Sequence, residues 1–444
     1  MTRPLLEDLA AWAASIRFDA LPADAQAAGR RVLLDQIALT LAGRRLYGPH
    51  PTEGLAQPAA DRARAAIWAT GTSTSAPWAA LVNRASADEL ELVAGPEAGA
   101  AVVAAGELAD VTLGDVIAGM VVAAGIDDCL RGWMLGPLER HGLHPPAFAG
   151  AAAAAAGAAY VLRATTADVA AAMAGASTLA PQSPGVAFSS GASGKTLYGA
   201  WGQMLGVHAA CWSRAGMGGS PSVWEGPRGI AAALSDSPDI GRPLGEPDVS
   251  AVSRVTFKPF PCSRAGHAAL TGLEALGFLD PDRIRQIDVA TYPYAVTVSE
   301  RSRGDTPIAA QAHIPSILAL AIAHGGLEPG VAFAADRLAD PRVRRLIACT
   351  HVTVDPELWT DGPRLRRASV RVTFDDGRSV DATRNPRWGS DDPASDEQLR
   401  ERAGRLAGDA LARNLWSADP AMPIRRLISG LALPQTPPSA GPDG

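Results

Sequence analysis

Lysine is almost missing from this chain. Of 40 basic residues among 444, only Lys195 and Lys258 are lysines, which leaves 38 arginines. Cysteine is also scarce. Cys129, Cys211, Cys262 and Cys349 stand far apart with no CxxC pair, which argues against a zinc ribbon or a disulfide framework and points to a reducing, cytoplasmic compartment. No basic block offsets the net charge of −6, so neither a nucleic-acid backbone nor an anionic membrane is an expected partner. No apolar run is long and clean enough to span a bilayer. Residues 98–105 and 116–126 are broken by Glu107, Asp110 and Asp115, and residues 147–162 are mostly alanine and glycine. The first residues carry Glu7, Asp8 and Trp12 in an amphipathic pattern, unlike a signal peptide. GxGxxG after a strand, a Walker loop, GxSxG, HExxH and an EF-hand are all absent, so the common cofactor and hydrolase readings lose their support.

What remains is a chain of 47% hydrophobic and 19% charged residues, enough for a large core and two domains. Disorder, collagen and coiled coil are excluded as its main character. Up to about residue 235 the periodicity is helical. Leu5, Leu9, Trp12 and Ile16 form one stripe, and Val32, Leu34, Ile37 and Leu41 another. Asp24 and Thr165 head two further helix starts, and residues 149–159 predict a helix whose neighbours tolerate only small side chains.

From about Val252 the pattern changes. Residues 287–292 and 351–354 read as strands, and residues 368–383 as a hairpin turning at Asp376-Gly377. Helices are expected at 314–323 and 340–348, with no βαβ alternation. Helical pattern returns at 395–415 and 420–431. The fold class is therefore mainly α. A large all-helical domain (1–253 and 395–433) encloses a smaller α+β lid domain (254–394), and a disordered tail covers 434–444.

Three segments carry chemistry. His144 stands among prolines ahead of the small-residue helix, well placed for acid–base work. Lys195 follows a Ser/Gly stretch that resembles half a phosphate loop without its spacing or its strand. Lys258, Arg264 and His267 share one proline-stiffened segment, three cationic donors suited to carboxylates. A lysine kept in an arginine-rich chain marks places where a compact ammonium, able to lose its proton when desolvated, does what guanidinium cannot. The other histidines, His50, His208, His313, His324 and His351, read as structural or exposed. Trp201 and Trp224 read as core.

Taken in order, Val32-Leu33-Leu34-Asp35, Leu41-Ala42-Gly43, Thr74-Ser75-Ala76-Pro77, Gly142-Leu143-His144-Pro145, Trp224-Glu225-Gly226, Phe257-Lys258-Pro259-Phe260-Pro261 and Asp340-Pro341-Arg342-Val343 resemble the MmgE/PrpD superfamily over nearly the whole chain. That superfamily includes 2-methylcitrate dehydratase, cis-aconitate decarboxylase and iminodisuccinate epimerase. The resemblance implies a helical domain built from both chain ends, an α+β lid, a homodimer and a cofactor-free pocket between the domains. It places His144 and Lys195 at the active-site histidine and lysine, and Lys258, Arg264 and His267 on the family's FKP…H stretch.

The sequence also departs from the family. Where dehydratases and decarboxylases carry an aspartate-rich segment and a histidine, this chain has Glu91, Val93, Ala94 and Glu97, and Tyr198 replaces the histidine three residues after the active lysine. Tyr292 and Tyr294 do not align cleanly with the family's pocket tyrosine. The expected catalytic set is His144, Lys195, His267 and Tyr198, with Lys258, Arg264, Glu97 and Glu91 holding a small carboxylate or carbonyl substrate. The implied reaction is cofactor-independent lyase or isomerase chemistry by proton abstraction beside that group, in specialised metabolism. A housekeeping 2-methylcitrate dehydratase and a catalytically silent binding subunit are the two alternatives.

Overall fold

The computed structural model describes residues 3–56, 64–96, 98–180, 183–234, 245–359 and 366–431. Glu97 and the tail expected from residue 434 lie outside them. The first half is a helical assembly. It comprises α1 (Leu5–Ser15), α2 (Ala23–Tyr47), α3 (Ala76–Asp88), α4 (Gly99–Ala109), α5 (Leu113–Arg140), α6 (Pro145–Val161), α7 (Thr166–Thr178), the single turn α8 (Val186–Ser189), α9 (Leu197–Arg214) and the single turn α10 (Ile230–Ala233). α6 is the alanine- and glycine-rich helix, and it runs through the centre with α4, α5, α7 and α9 around it. Its composition follows from the packing. A Cβ on Gly157 would lie 2.7 Å from a Val102 methyl, and one on Gly206 of α9 would lie 2.6 Å from the Cβ of Ala154. The helices therefore approach at backbone distance, and every larger side chain at these positions is excluded.

Capping explains where several helices begin. Thr112 with Asp115 at α5 and Thr165 with Asp168 at α7 form reciprocal capping boxes. The expected polar cap at Asp24 does not form. α2 starts instead behind Pro22, whose missing N–H costs nothing at a helix start. One strand pair was not expected in this part of the chain. Arg64–Ile67 (β1) and Thr72–Ser75 (β2) make a two-stranded antiparallel hairpin, so the large domain is not purely helical.

The second half carries α11 (His267–Ala275), β3 (Ile284–Thr291), α12 (Pro293–Arg301), α13 (Pro307–Ala310), α14 (Ile314–His324), α15 (Ala335–Ala339), α16 (Pro341–Ala348), β4 (Thr350–Val354), β5 (Ala368–Phe374) and β6 (Ser379–Arg384). The sheet order is β4-β3-β5-β6. The β5–β6 hairpin turns through Gly377 at φ +83°, where the sequence placed it. β3 and β4, however, pair in parallel, with Val289 opposite Val352, after a crossover through α12 to α16. The expected lack of any βαβ connection is thus corrected. The signal was hidden because the crossover is far longer than the one helix such units usually carry. Leu270, Leu273, Ile287, Val289, Ile317, Val370 and Val372 belong to a core separate from that of the helical assembly.

The chain then returns to the first core. α17 (Asp396–Ala407) and α18 (Asp409–Ser417) pack on α2, and α19 (Ile424–Ser429) on α4 and α5. Asp396 pairs with Arg31 at 2.7 Å, and the buried Arg402 with Asp35 at 3.3 Å. Among the described residues no helix is long and apolar enough to cross a membrane. Trp224 is fully buried as expected, whereas Trp201 is 47% exposed. It faces outward from α9 because the inner face of that helix meets α6, where only small groups fit.

Candidate active site

A cleft of about 1460 Å³ runs along the junction of the two cores. Its wall holds Glu91, His144, Lys195, Tyr198, Lys258, Arg264 and His267, every described residue that sequence reasoning selected. Local structure explains how each arrives there. Glu91 lies in the loop after α3, in a left-handed conformation at φ +51°, which turns its carboxylate inward. Lys195 sits in a single 3₁₀ turn, Ser193–Thr196, directly ahead of α9. Lys258 lies on the extended segment that leads from one core to the other. His144 is the N-cap of α6, and its backbone N–H donates to the Ser183 carbonyl at 2.9 Å.

The only two lysines of the chain converge on one carboxylate. Lys195 Nζ donates to Oε2 of Glu91 and, at 3.3 Å, to the Asp88 carbonyl. Lys258 Nζ donates to Oε1 of Glu91 at 2.7 Å and to the Glu91 carbonyl at 3.1 Å. All three residues are buried. Burial alone would raise the Glu91 pKa, but the two ammonium groups more than reverse this and hold it well below the usual carboxylate range. Lys195 loses to burial but gains more from Glu91 and Asp88, so it is shifted upward and stays cationic. Lys258 is shifted downward, because burial and the neighbouring Arg264 outweigh Glu91. One lysine is thereby fixed as a cation and the other brought closer to proton exchange.

His144 stands beside this group. Burial pushes its pKa down to about 4, against the opposing pull of Glu91 and Asp88, so the ring is neutral at pH 7. Its Nδ1 is buried, with no hydrogen-bond partner among the described residues. The Tyr198 ring lies 5.4 Å away at 44°, and its hydroxyl donates to the Pro184 carbonyl. Lys195 is also 4.9 Å above the Phe188 ring.

His267 is differently placed. It is 1% exposed, its Nε2 donates to the Cys262 carbonyl at 3.1 Å, and it meets Phe260 edge-on. Burial, then Lys258 and Arg264, push its pKa well down, so it too is neutral. With one nitrogen anchored, its ring is held rigidly in the wall. Arg264 donates to the Thr256 carbonyl at 2.9 Å.

Sequence reasoning missed several residues at this wall. Arg84 and Asp88 form a 2.7 Å pair on the last turns of α3, below Glu91. Their four-residue spacing on a helix was a readable signal. Val93 and Ala94 supply an apolar stretch of the same wall. Arg131 and Arg366 also line the cleft, but nothing distinguished them from the other arginines. Among the described residues no group of three or more His, Cys, Asp or Glu is placed to hold a metal ion.

Two family models together match most of the chain. The model of the MmgE/PrpD N-terminal domain matches residues 7–243, and that of the MmgE/PrpD C-terminal domain matches residues 260–418. No curated protein matches the chain.

Proposed function

The chain belongs to the MmgE/PrpD family, whose chemistry is of the dehydratase and lyase type, and from that premise we propose the following reaction. The protein removes a carbon-bound proton beside a carboxylate or carbonyl of a small anionic substrate, and then eliminates a group or reprotonates the carbon, using its own side chains alone. The observation that carries this reading is the meeting of Lys195 and Lys258 on Glu91, beside a neutral His144 whose Nδ1 has no partner among the described residues.

His144 is the base. A neutral imidazole with a pKa of about 4 is a weak base, so the reaction needs the carbanion to be stabilised as it forms. Lys195, held cationic, supplies that stabilisation in a buried site, where a fixed charge acts far more strongly than in water. Lys258, shifted downward, returns a proton to the leaving group or the opposite face, with Tyr198 as the alternative donor. Glu91 sets both lysines in place and keeps the pair from repelling a further cation or collapsing apart.

The test is deuterium incorporation from D₂O, followed by NMR, into the substrates of the three activities named above and simpler di- and tricarboxylates. Exchange or turnover with at least one is expected, and His144→Gln should lower it about a hundredfold. Exchange without loss of water or CO₂ identifies an epimerase. No exchange with any acid counts against this reaction and favours the silent binding subunit. Normal turnover in His144→Gln and in His267→Gln removes the histidines from the mechanism.

A further inference from the structure

A buried histidine that the reaction scheme does not use lies close to the turn that carries Lys195. α2 ends at Tyr47, Gly48 at φ +79° turns the chain, and His50 caps the 3₁₀ turn Pro51–Leu55. His50 is 7% exposed, and with Glu89 and Thr196 it stands outside the wall of the cleft. Its Nδ1 accepts the Thr52 N–H at 3.3 Å and lies 2.8 Å from the Thr52 hydroxyl. A nitrogen that accepts carries no proton. Burial moves the His50 pKa below the ordinary 6.5, against the pull of Asp88, so the ring is neutral and its proton is on Nε2. That N–H donates to the Thr196 hydroxyl oxygen at 3.1 Å, and the hydroxyl donates in turn to the Ser193 carbonyl at 3.0 Å. The bonds form one directed chain, from the Thr52 backbone through His50 and Thr196 to the Ser193 backbone.

The far end of that chain of bonds is the turn that carries Lys195. Ser193–Thr196 is a single 3₁₀ turn, in which the Lys195 N–H donates to the Ala192 carbonyl at 3.1 Å. Turns of this kind are weakly held by their own backbone bonds, and a Cβ on Gly194 would meet nothing within 4 Å. The lysine stem is long and free to rotate, so the ammonium group keeps one position only where its backbone is fixed. The His50–Thr196 bond supplies that fixation from outside the cleft. Glu89 adds a second link. Its Oε1 lies 3.6 Å from the same Nε2, and it precedes Glu91 by two residues. Through Glu89 and Thr196, His50 therefore meets the two stretches of chain that bring Glu91 and Lys195 together.

We propose that His50 is a positioning residue for Lys195, acting through the Thr196 hydroxyl to hold the ammonium group on Glu91. This inference rests on the reaction reading above for what Lys195 does once it is held. An apolar side chain at position 50 or 196 breaks the bond without entering the cleft. Lys195 then loses order, whereas Lys258, carried by a different segment, keeps its own bonds to Glu91.

The composition of the chain makes this measurable, because lysine labelled with ¹⁵N at Nζ gives only two ammonium signals in the full-length protein. Lys258→Arg assigns them. Thr196→Val is close to isosteric and lacks the hydroxyl. It speeds exchange of the Lys195 Nζ protons with water about threefold to tenfold, the range for one lost hydrogen bond, and leaves Lys258 within about twofold of wild type. His50→Leu has the same selective effect. Thr196→Ser, which restores the hydroxyl, returns Lys195 to wild-type exchange. Circular dichroism confirms that the variants fold. Unchanged Lys195 exchange in Thr196→Val overturns the inference whether or not His50→Leu folds, as does an effect of Thr196→Val that a folded His50→Leu does not share. Equal acceleration at both lysines also overturns it, because a general loosening of the fold produces that result. The reaction reading fails separately, since no substrate enters this measurement. Absent deuterium exchange into every candidate acid, with the selective effect on Lys195 intact, sinks the chemistry alone. Intact deuterium exchange with Lys195 unaffected sinks the positioning role alone.

Discussion

Lys258 Nζ lies 2.7 Å from Oε1 of Glu91, and this contact ties the segment between the two cores to the loop after α3. The other carboxylate oxygen accepts from Lys195, so a single negative charge neutralises part of two buried positive ones. Glu91→Gln leaves both ammonium groups without a counter-charge. Removing one partner of a buried pair costs about 3–5 kcal/mol, and a loss of that size in urea unfolding is expected. Adding Lys258→Met in the Glu91→Gln background should restore part of it, because one of the stranded charges goes too. A change below about 1 kcal/mol in Glu91→Gln would mean that the carboxylate is not the counter-ion.

His144 gives a pH dependence with a definite sign. Its folded pKa of about 4 lies below the ordinary 6.5, so between those values the unfolded chain binds more protons than the folded one. Stability therefore rises with pH across that window and falls as pH drops from 6.5 toward 4. One proton contributes at most about 1.4 kcal/mol per pH unit, and the partial exposure of His144 reduces this. His144→Gln should flatten this part of the stability profile. In the same way kcat/KM should hold steady from pH 8 to about 5 and fall only near pH 4. An acid limb near pH 6.5 that survives in His144→Gln would assign the base to another group.

The parts of this molecule that could be read from sequence are those fixed by neighbours along the chain. The small-residue helix α6 and the β5–β6 hairpin at Gly377 were legible, because helix packing and turn conformation each restrict residue type locally. The parallel pairing of β3 with β4 was not, since it joins residues some sixty positions apart across five helices. The β1–β2 hairpin was hidden for another reason: Arg64–Ile67 and Thr72–Ser75 are four residues each, too short for an alternation to register. In the site, rarity was the usable signal. Lys195 and Lys258 stood out against 38 arginines, while Arg131 and Arg366 were lost among them. That both lysines meet on Glu91 depends on a left-handed loop residue, which sequence does not announce for a glutamate.

Two glycine-to-alanine changes in long helices should have opposite signs. Gly206 faces α6, and a Cβ there would lie 2.6 Å from the Ala154 Cβ and 2.8 Å from its backbone carbon. Gly206→Ala must force α6 and α9 apart, with a cost of about 1–3 kcal/mol that exceeds the gain in helix propensity. Gly132 on α5 has nothing within 4 Å of the same position. Gly132→Ala should stabilise by about 0.5–1 kcal/mol, because only the unfolded chain loses freedom. Chemical denaturation of the two variants side by side decides it. Equal effects would show that α6 and α9 can separate without penalty.

Glu107 supplies the opposite pH dependence to His144. It is 4% exposed at the end of α4, and both its oxygens lie within 3.3 Å of the Ala66 N–H. Burial pushes its pKa up to about 7, against the pull of that N–H and of Arg425. The folded chain thus holds a proton that the unfolded chain releases at the ordinary carboxylate value of 4.5. Stability contributed by this group is complete below pH 4.5 and is lost as pH rises through 7. Glu107→Gln keeps an acceptor for Ala66 without carrying a charge into the interior. The variant should match wild type near pH 4.5 and exceed it above pH 7, by up to about 3 kcal/mol if the whole shift is expressed. Thermal melts at those two pH values measure the difference. A variant equal to wild type at both would mean that Glu107 is already ionised and solvated in the folded protein.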